Sequence, residues 1–184
     1  MNQDPYVFAL DQEYFDIGAL QEVFRRQQHK VLGDPQYENY HRLVADEPYM
    51  ASLKRKYAFL SDIYNIYEFS ETLPAHIDRD RKCTINFPLW NCDNTQTVVY
   101  EMPRATVLDD RWMYPLSNPV DASLGAELHR FELSQPVLFN VEYPHQVLIP
   151  DNSPSRISIS WSIDEMSFAS TKKVFLKRRY DATL

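Results

Sequence analysis

Apolar and polar positions follow two rhythms along this chain, and the change falls near residue 60. Before it, apolar residues recur at helical spacing. Ile17, Leu20 and Phe24 fall at i, i+3 and i+7, with Gln21, Arg25 and Arg26 on other faces and Asp16 placed to cap the first turn. A second helix is predicted after Asp46-Glu47-Pro48, because proline suits the first helical turn and Met50, Leu53 and Tyr57 keep the spacing. From Leu60 onward the period is two. Short strands are predicted over 63–69, 76–80, 83–89, 97–102, 127–133, 136–141 and 146–149. Arg156–Ile163 is the clearest strand, with Arg156, Ser158, Ser160 and Ser162 on one face and Ile157, Ile159, Trp161 and Ile163 on the other.

Helices followed by many short strands imply a mainly β chain with N-terminal α-helices, a sandwich or barrel with helices packed outside. The expected organisation is one domain, 1–184, with helical support over 1–59, a β core over 60–164 and a C-terminal strand or tail over 165–184. The segment 103–125 has no clear period and reads as a long excursion near the barrel mouth, where loops of that length are often functional.

Composition narrows the class. At 184 residues with 44% apolar and 24% charged content, the chain can build a core without disulfide staples. It has no apolar run long enough to span a membrane, and its start lacks a cationic segment followed by an apolar one, so a cytoplasmic protein with no membrane association is expected. A net charge of −7 disfavours a nucleic-acid partner, leaving a small-molecule or peptidyl substrate. Lys172, Lys173, Lys177, Arg178 and Arg179 crowd the end and are expected to form a solvated face or tail. Cys83 and Cys92 read as free thiols. With 3 glycines and 12 prolines, chain reversals are expected to use proline-led loops.

The chemistry gathers in His76-Ile77-Asp78, Pro144-His145 and Arg156-Ile157-Ser158. Residues two apart on a strand share a face, so His76 and Asp78 converge, and His145 from a later strand completes two imidazoles and one carboxylate. Such a set takes one face of an octahedron and leaves positions open, as non-haem Fe(II) oxygenases require for a cosubstrate and O₂. A tripeptide of this kind is common by chance; its order with a later strand histidine and then a strand arginine makes the pattern specific.

Over residues 60–164 the chain resembles the 2-oxoglutarate- and Fe(II)-dependent dioxygenases, whose core is a double-stranded β-helix, a jelly-roll of cupin type. The resemblance is carried by Leu73-Pro74-Ala75-His76-Ile77-Asp78, Arg81, Ile85-Asn86-Phe87-Pro88-Leu89, Pro136-Val137-Leu138-Phe139-Asn140, Pro144-His145-Gln146-Val147 and Arg156-Ile157-Ser158-Ile159-Ser160-Trp161. It implies that His76, Asp78 and His145 hold Fe(II), and that Arg156, assisted by Ser158, binds the far carboxylate of 2-oxoglutarate. It also implies a hydroxylase that consumes O₂ and 2-oxoglutarate and releases succinate and CO₂. The guanidinium fork suits a carboxylate, and Ser158 shares its strand face. In one respect the chain departs from the pattern: Gly125 is the only glycine after residue 33, where such cores commonly spend several on turns.

Further candidates surround this set. Tyr64 and Tyr67 precede it on one strand, and as they are three apart a regular strand turns only one inward; Tyr64 is the choice, with Asn86 beside it as a second cosubstrate contact. Arg81 reads either as a contact for an anionic substrate group or as a surface ion pair, and Trp90 and Trp112 either as pocket walls or as plain packing. His129 reads as structural. Two rival readings share the fold: another metal-dependent cupin, such as an isomerase or a 2-oxoglutarate-independent dioxygenase, and an inactive jelly-roll binding protein. Arg156 with Ser158 distinguishes the first rival, which has no keto-acid tail to hold, and a complete ligand set distinguishes the second.

Overall fold

Runs of alternating β-branched, aromatic and small polar residues become strands by pairing edge to edge, and two sheets result. The computed structural model describes residues 4–27, 40–78, 81–101, 117–119 and 125–181. In chain order the elements are β1 (Val7–Ala9), α1 (Ile17–Gln27), β2 (Tyr40–Val44), α2 (Pro48–Lys56), β3 (Leu60–Phe69), β4 (Leu73–Asp78), β5 (Cys83–Trp90), β6 (Gln96–Tyr100), β7 (Ser117–Pro119), β8 (Glu127–Glu132), β9 (Val137–Asn140), β10 (His145–Leu148), β11 (Arg156–Ile163) and α3 (Phe168–Asp181). Six strands form one antiparallel sheet in the order β1-β9-β5-β11-β3-β2, and five form the other in the order β7-β4-β10-β6-β8. Their non-sequential order is that of a double-stranded β-helix.

β11 lies at the centre of the larger sheet and its registers sort every neighbouring side chain. Ile159 pairs with Ile66 and Phe87, and Trp161 with Tyr64 and Ile85. These residues form the outer face, a dry layer packed against Leu20, Met50, Leu53 and Phe175 of the three helices. Ser158 pairs with Tyr67 and Pro88, and Ser160 with Asn65 and Asn86, on the inner face that looks toward the smaller sheet. Between the sheets the apolar material is divided between two smaller clusters, one with Val99, Val137, Phe139 and Val141, the other with Phe69, Leu73, Val147 and Ile149.

Both predicted helices form for local reasons. Asp16 Oδ1 accepts the Ala19 amide at 3.0 Å, and Pro48 opens α2. The N-terminal support is less helical than expected, because β1 pairs with β9 and β2 with β3, extending the larger sheet at both edges. The expected C-terminal strand or tail is instead helix α3. Ser167 caps it, its Oγ accepting the Ser170 amide at 3.3 Å, and Phe168, Thr171 and Phe175 supply a buried stripe at helical spacing. The basic run is correspondingly divided: Lys173 and Lys177 are exposed, while Lys172 is buried, its Nζ donating to the Asp4 carbonyl at 3.0 Å and lying over the Phe8 and Phe168 rings. The side chains of Arg178 and Arg179 lie outside the described residues.

Most of 103–125, with Trp112, also lies outside them, but Ser117–Pro119 pairs with β4 as the edge of the smaller sheet. Gly125 closes this excursion. A Cβ there would collide with the Glu101 carbonyl, so only glycine lets the chain return alongside Glu101, whose amide donates to Ala126 at 2.8 Å. Among the described residues no helix is long and apolar enough to cross a membrane.

Candidate metal centre

β4 and β10 are antiparallel neighbours in register at His145 and His76, so the two imidazoles stand side by side with ring centroids 4.3 Å apart. Asp78 follows two residues along β4 on the same face. One ligand atom from each of His76, Asp78 and His145 lies within 4.8 Å of the others, and Asp78 Oδ1 is 3.7 Å from His76 Nε2. The register of β10 on β4 breaks just beyond, between His145 and Val147, and this bulge brings Leu73 rather than Pro74 opposite Val147.

The imidazoles are oriented by the backbone. His76 Nδ1 donates to the Pro74 carbonyl at 2.8 Å and His145 Nδ1 to the Tyr143 carbonyl at 3.0 Å. A carbonyl only accepts, so Nδ1 carries the proton in both rings and each Nε2 keeps its lone pair for a cation. Burial keeps both rings neutral; it lowers the His76 pKa and, with His76 alongside, pushes that of His145 down to about 4. Burial alone would raise the Asp78 carboxyl, but the Arg81 guanidinium and the two histidines outweigh it and hold the carboxyl below its usual range. Arg81 Nε donates to Asp78 Oδ2 at 2.7 Å and Nη2 lies 2.6 Å from the same oxygen. Oδ2 is thereby occupied and Oδ1 faces the histidines. Two neutral nitrogens with free lone pairs and one anionic oxygen, all buried, are a donor set that fits Fe(II).

The cleft at this centre takes in about 670 Å³ of non-atom space, its open mouth included. The larger sheet contributes Arg156, Ser158 and Ser160 from β11 with Tyr67 and Phe69 from β3, and Thr84 and Asn86 from β5. Arg156 is 4% exposed. Its Nη1 makes a 3.4 Å hydrogen bond to Thr95 Oγ1, its Nε has no partner, and among the described residues no carboxylate pairs with it. A guanidinium stays charged under all ordinary conditions, and an unpaired buried charge costs several kcal/mol.

The structure therefore brings together His76, Asp78, His145, Arg156, Ser158, Asn86 and Arg81. Asn86 Oδ1 accepts from Thr84 Oγ1 at 3.1 Å, so its amide hydrogens remain to donate. Arg81 is no surface ion pair: its side chain is 6% exposed and is committed to Asp78, to the Tyr67 hydroxyl at 3.3 Å and to Ser162 Oγ at 3.2 Å.

Tyr64 does not join them. It pairs with Trp161 on the outer face, where the rings lie 5.7 Å apart and burial raises the hydroxyl pKa, while Tyr67, opposite Ser158, faces the cleft. Trp90 is also elsewhere. By strict alternation it would share the face of Asn86 and Pro88, but a bulge at the end of β5 pairs it with Ile157 and turns it outward onto the Phe24 ring, with the Arg25 guanidinium 5.6 Å from its ring. His129 pairs with Asp4 at 3.3 Å and stacks on Tyr6, away from the cleft. Sequence reasoning missed Thr97 of β6, which lines the cleft, and Thr95 in the turn before it, whose Oγ1 meets Arg156; the two-residue spacing of these threonines on either side of Gln96 was the available signal.

No protein-family model matches the chain, and no curated protein matches it in sequence. Solved structures do. The non-heme alpha ketoglutarate dependent carbocyclase SnoK from nogalamycin biosynthesis aligns at a TM-score of 0.50 with 12% identity, over 86% of this chain and 80% of that one. AviO1 from Streptomyces viridochromogenes Tue57 aligns over 89% and 91% at 0.49 with 12% identity. A Pseudomonas putida prolyl-4-hydroxylase aligns over 85% and 90% at 0.46 with 18% identity. In fold, then, the chain is a double-stranded β-helix of the kind found in the alpha ketoglutarate dependent enzyme SnoK.

Proposed function

We propose that this protein is an Fe(II)- and 2-oxoglutarate-dependent oxygenase that hydroxylates a small-molecule or peptidyl substrate. The observation that carries the reading is Arg156, a buried guanidinium with no carboxylate partner among the described residues, set in the same cleft as two neutral histidines and one carboxylate. His76 and His145 present Nε2 lone pairs and Asp78 presents Oδ1. Arg156 takes the far carboxylate of 2-oxoglutarate through its planar fork, and the Ser158 hydroxyl donates to the same anion. Phe139, Val141 and Val147 keep water from the reacting end. With Fe(II) bound, O₂ and 2-oxoglutarate supply the oxidising chemistry, yielding succinate, CO₂ and one oxygen atom for the substrate. A metal-dependent cupin with no keto acid to bind would leave Arg156 unpaired, so that reading is not favoured. SnoK is a carbocyclase, so the fold accommodates oxidation other than hydroxylation.

The test is an anaerobic titration of metal-free protein with Fe(II) and 2-oxoglutarate in the visible spectrum. A charge-transfer band should require both ligands, vanish in His76→Ala and need far more 2-oxoglutarate in Arg156→Ala. Iron binding without the band would point to a different cupin chemistry, and no iron binding would leave a binding protein. Succinate release in the presence of candidate substrates, with product mass, then decides hydroxylation.

A further inference from the structure

We propose that Arg81 is a positioning residue that reserves one oxygen of Asp78 for the metal and withholds the other; this role rests on the metal-centre reading above. Two of its nitrogens converge on Oδ2, at 2.7 Å from Nε and 2.6 Å from Nη2. The remaining contacts tie the guanidinium to the opposite sheet: Nη2 donates to the Tyr67 hydroxyl at 3.3 Å on β3, and Nη1 to Ser162 Oγ at 3.2 Å on β11. Asp78 ends β4 in the smaller sheet, so Arg81 fastens that carboxylate to the larger one. Both side chains are buried, at 6% and 5% exposure. Oδ1 is left alone toward His76 Nε2, at 3.7 Å.

A carboxylate free to rotate can grip a metal with both oxygens and so fill one of the positions a cosubstrate or O₂ needs. A planar fork anchored on three strands prevents this. A lysine would not: its ammonium is a point charge on a flexible stem and cannot hold Oδ2 twice while reaching Tyr67 and Ser162.

Mn(II)-loaded protein, followed by water-proton relaxation, counts the waters on the metal without any turnover. The unsubstituted protein should show about three exchangeable waters, the number that a three-donor facial set leaves open. Arg81→Gln should retain Mn(II) within about tenfold and show about two waters, because the freed oxygen has taken a position. Arg81→Lys should show the same loss, and it carries the test if Arg81→Gln fails to fold. Three waters in a folded variant that lacks the fork would overturn the positioning role alone. Failure of the unsubstituted protein to bind Mn(II) would overturn the metal centre and this role with it. Loss of Mn(II) binding that merely follows a fall in Tm in both variants would make Arg81 a structural ion pair, which also overturns it.

Discussion

The two faces of the larger sheet are built from the same strands yet obey opposite rules. Outward, Ile159, Trp161, Tyr64, Ile66 and Phe87 join one continuous apolar core under the helices. Inward, one residue along, Arg156, Ser158, Ser160 and Asn86 line a polar cleft whose apolar neighbours are divided between small clusters. The outer face holds the fold, and the inner face gives up packing to keep a charge and several hydroxyls available. A β-sandwich that filled both faces would be more stable and would bind nothing.

Substitutions should separate the two. Trp161 is fully buried with its indole N–H donating to the Ser61 carbonyl at 2.8 Å, and Trp161→Ala should cost about 3–5 kcal/mol in chemical denaturation. Ligand binding by whatever fraction stays folded should be unchanged.

A smaller effect should come from acid. Burial, with His76 alongside, pushes the His145 pKa down to about 4 from an ordinary value of 6.5. Between those values the unfolded chain takes up a proton that the folded chain refuses, so the metal-free protein loses stability as pH falls from about 6.5 to about 4, on the order of 3 kcal/mol, and the loss levels off below. His145→Gln should flatten that part of the denaturation midpoint against pH; an unchanged slope would mean that the imidazole is not buried neutral.

Arg156→Met should move stability the other way. Removing a buried charge that has no counter-ion among the described residues should leave the metal-free protein unchanged or more stable, by up to about 1–4 kcal/mol, while 2-oxoglutarate affinity falls. A clear loss of stability would show that Arg156 has a structural counter-ion. The smallest effect belongs to Tyr64→Phe. Its hydroxyl is buried without a hydrogen-bond partner, so the change should be worth less than about 1 kcal/mol and should not alter 2-oxoglutarate binding. Tyr67→Phe, which removes a hydroxyl from the cleft side, should alter it.

How much of this was legible depended on the distance over which each feature is decided. The shared face of His76 and Asp78, and the split of Arg156–Ile163 into polar and apolar faces, follow from the two-residue repeat of a strand and need nothing from the rest of the chain. The choice between Tyr64 and Tyr67 depended on which residue of β3 sits opposite Ser158, a register set by pairing across ninety residues of chain. Trp90 was misplaced because a bulge shifts the face by one residue and leaves no periodic trace. The C-terminal helix was missed because its basic residues masked a short apolar stripe whose value appears only when Phe175 meets Phe15 and Tyr57.

By itself, then, the sequence determined the strand core, the order of its candidate ligands and the residue types able to hold a metal and a carboxylate, because alternation and charge are local properties. The tertiary structure alone decided that His145 stands opposite His76, that Arg81 grips Asp78, and that Arg156 is buried with no carboxylate partner among the described residues. Partners are a matter of register and bulges, and these are set by packing between sheets, which no stretch of sequence carries on its own.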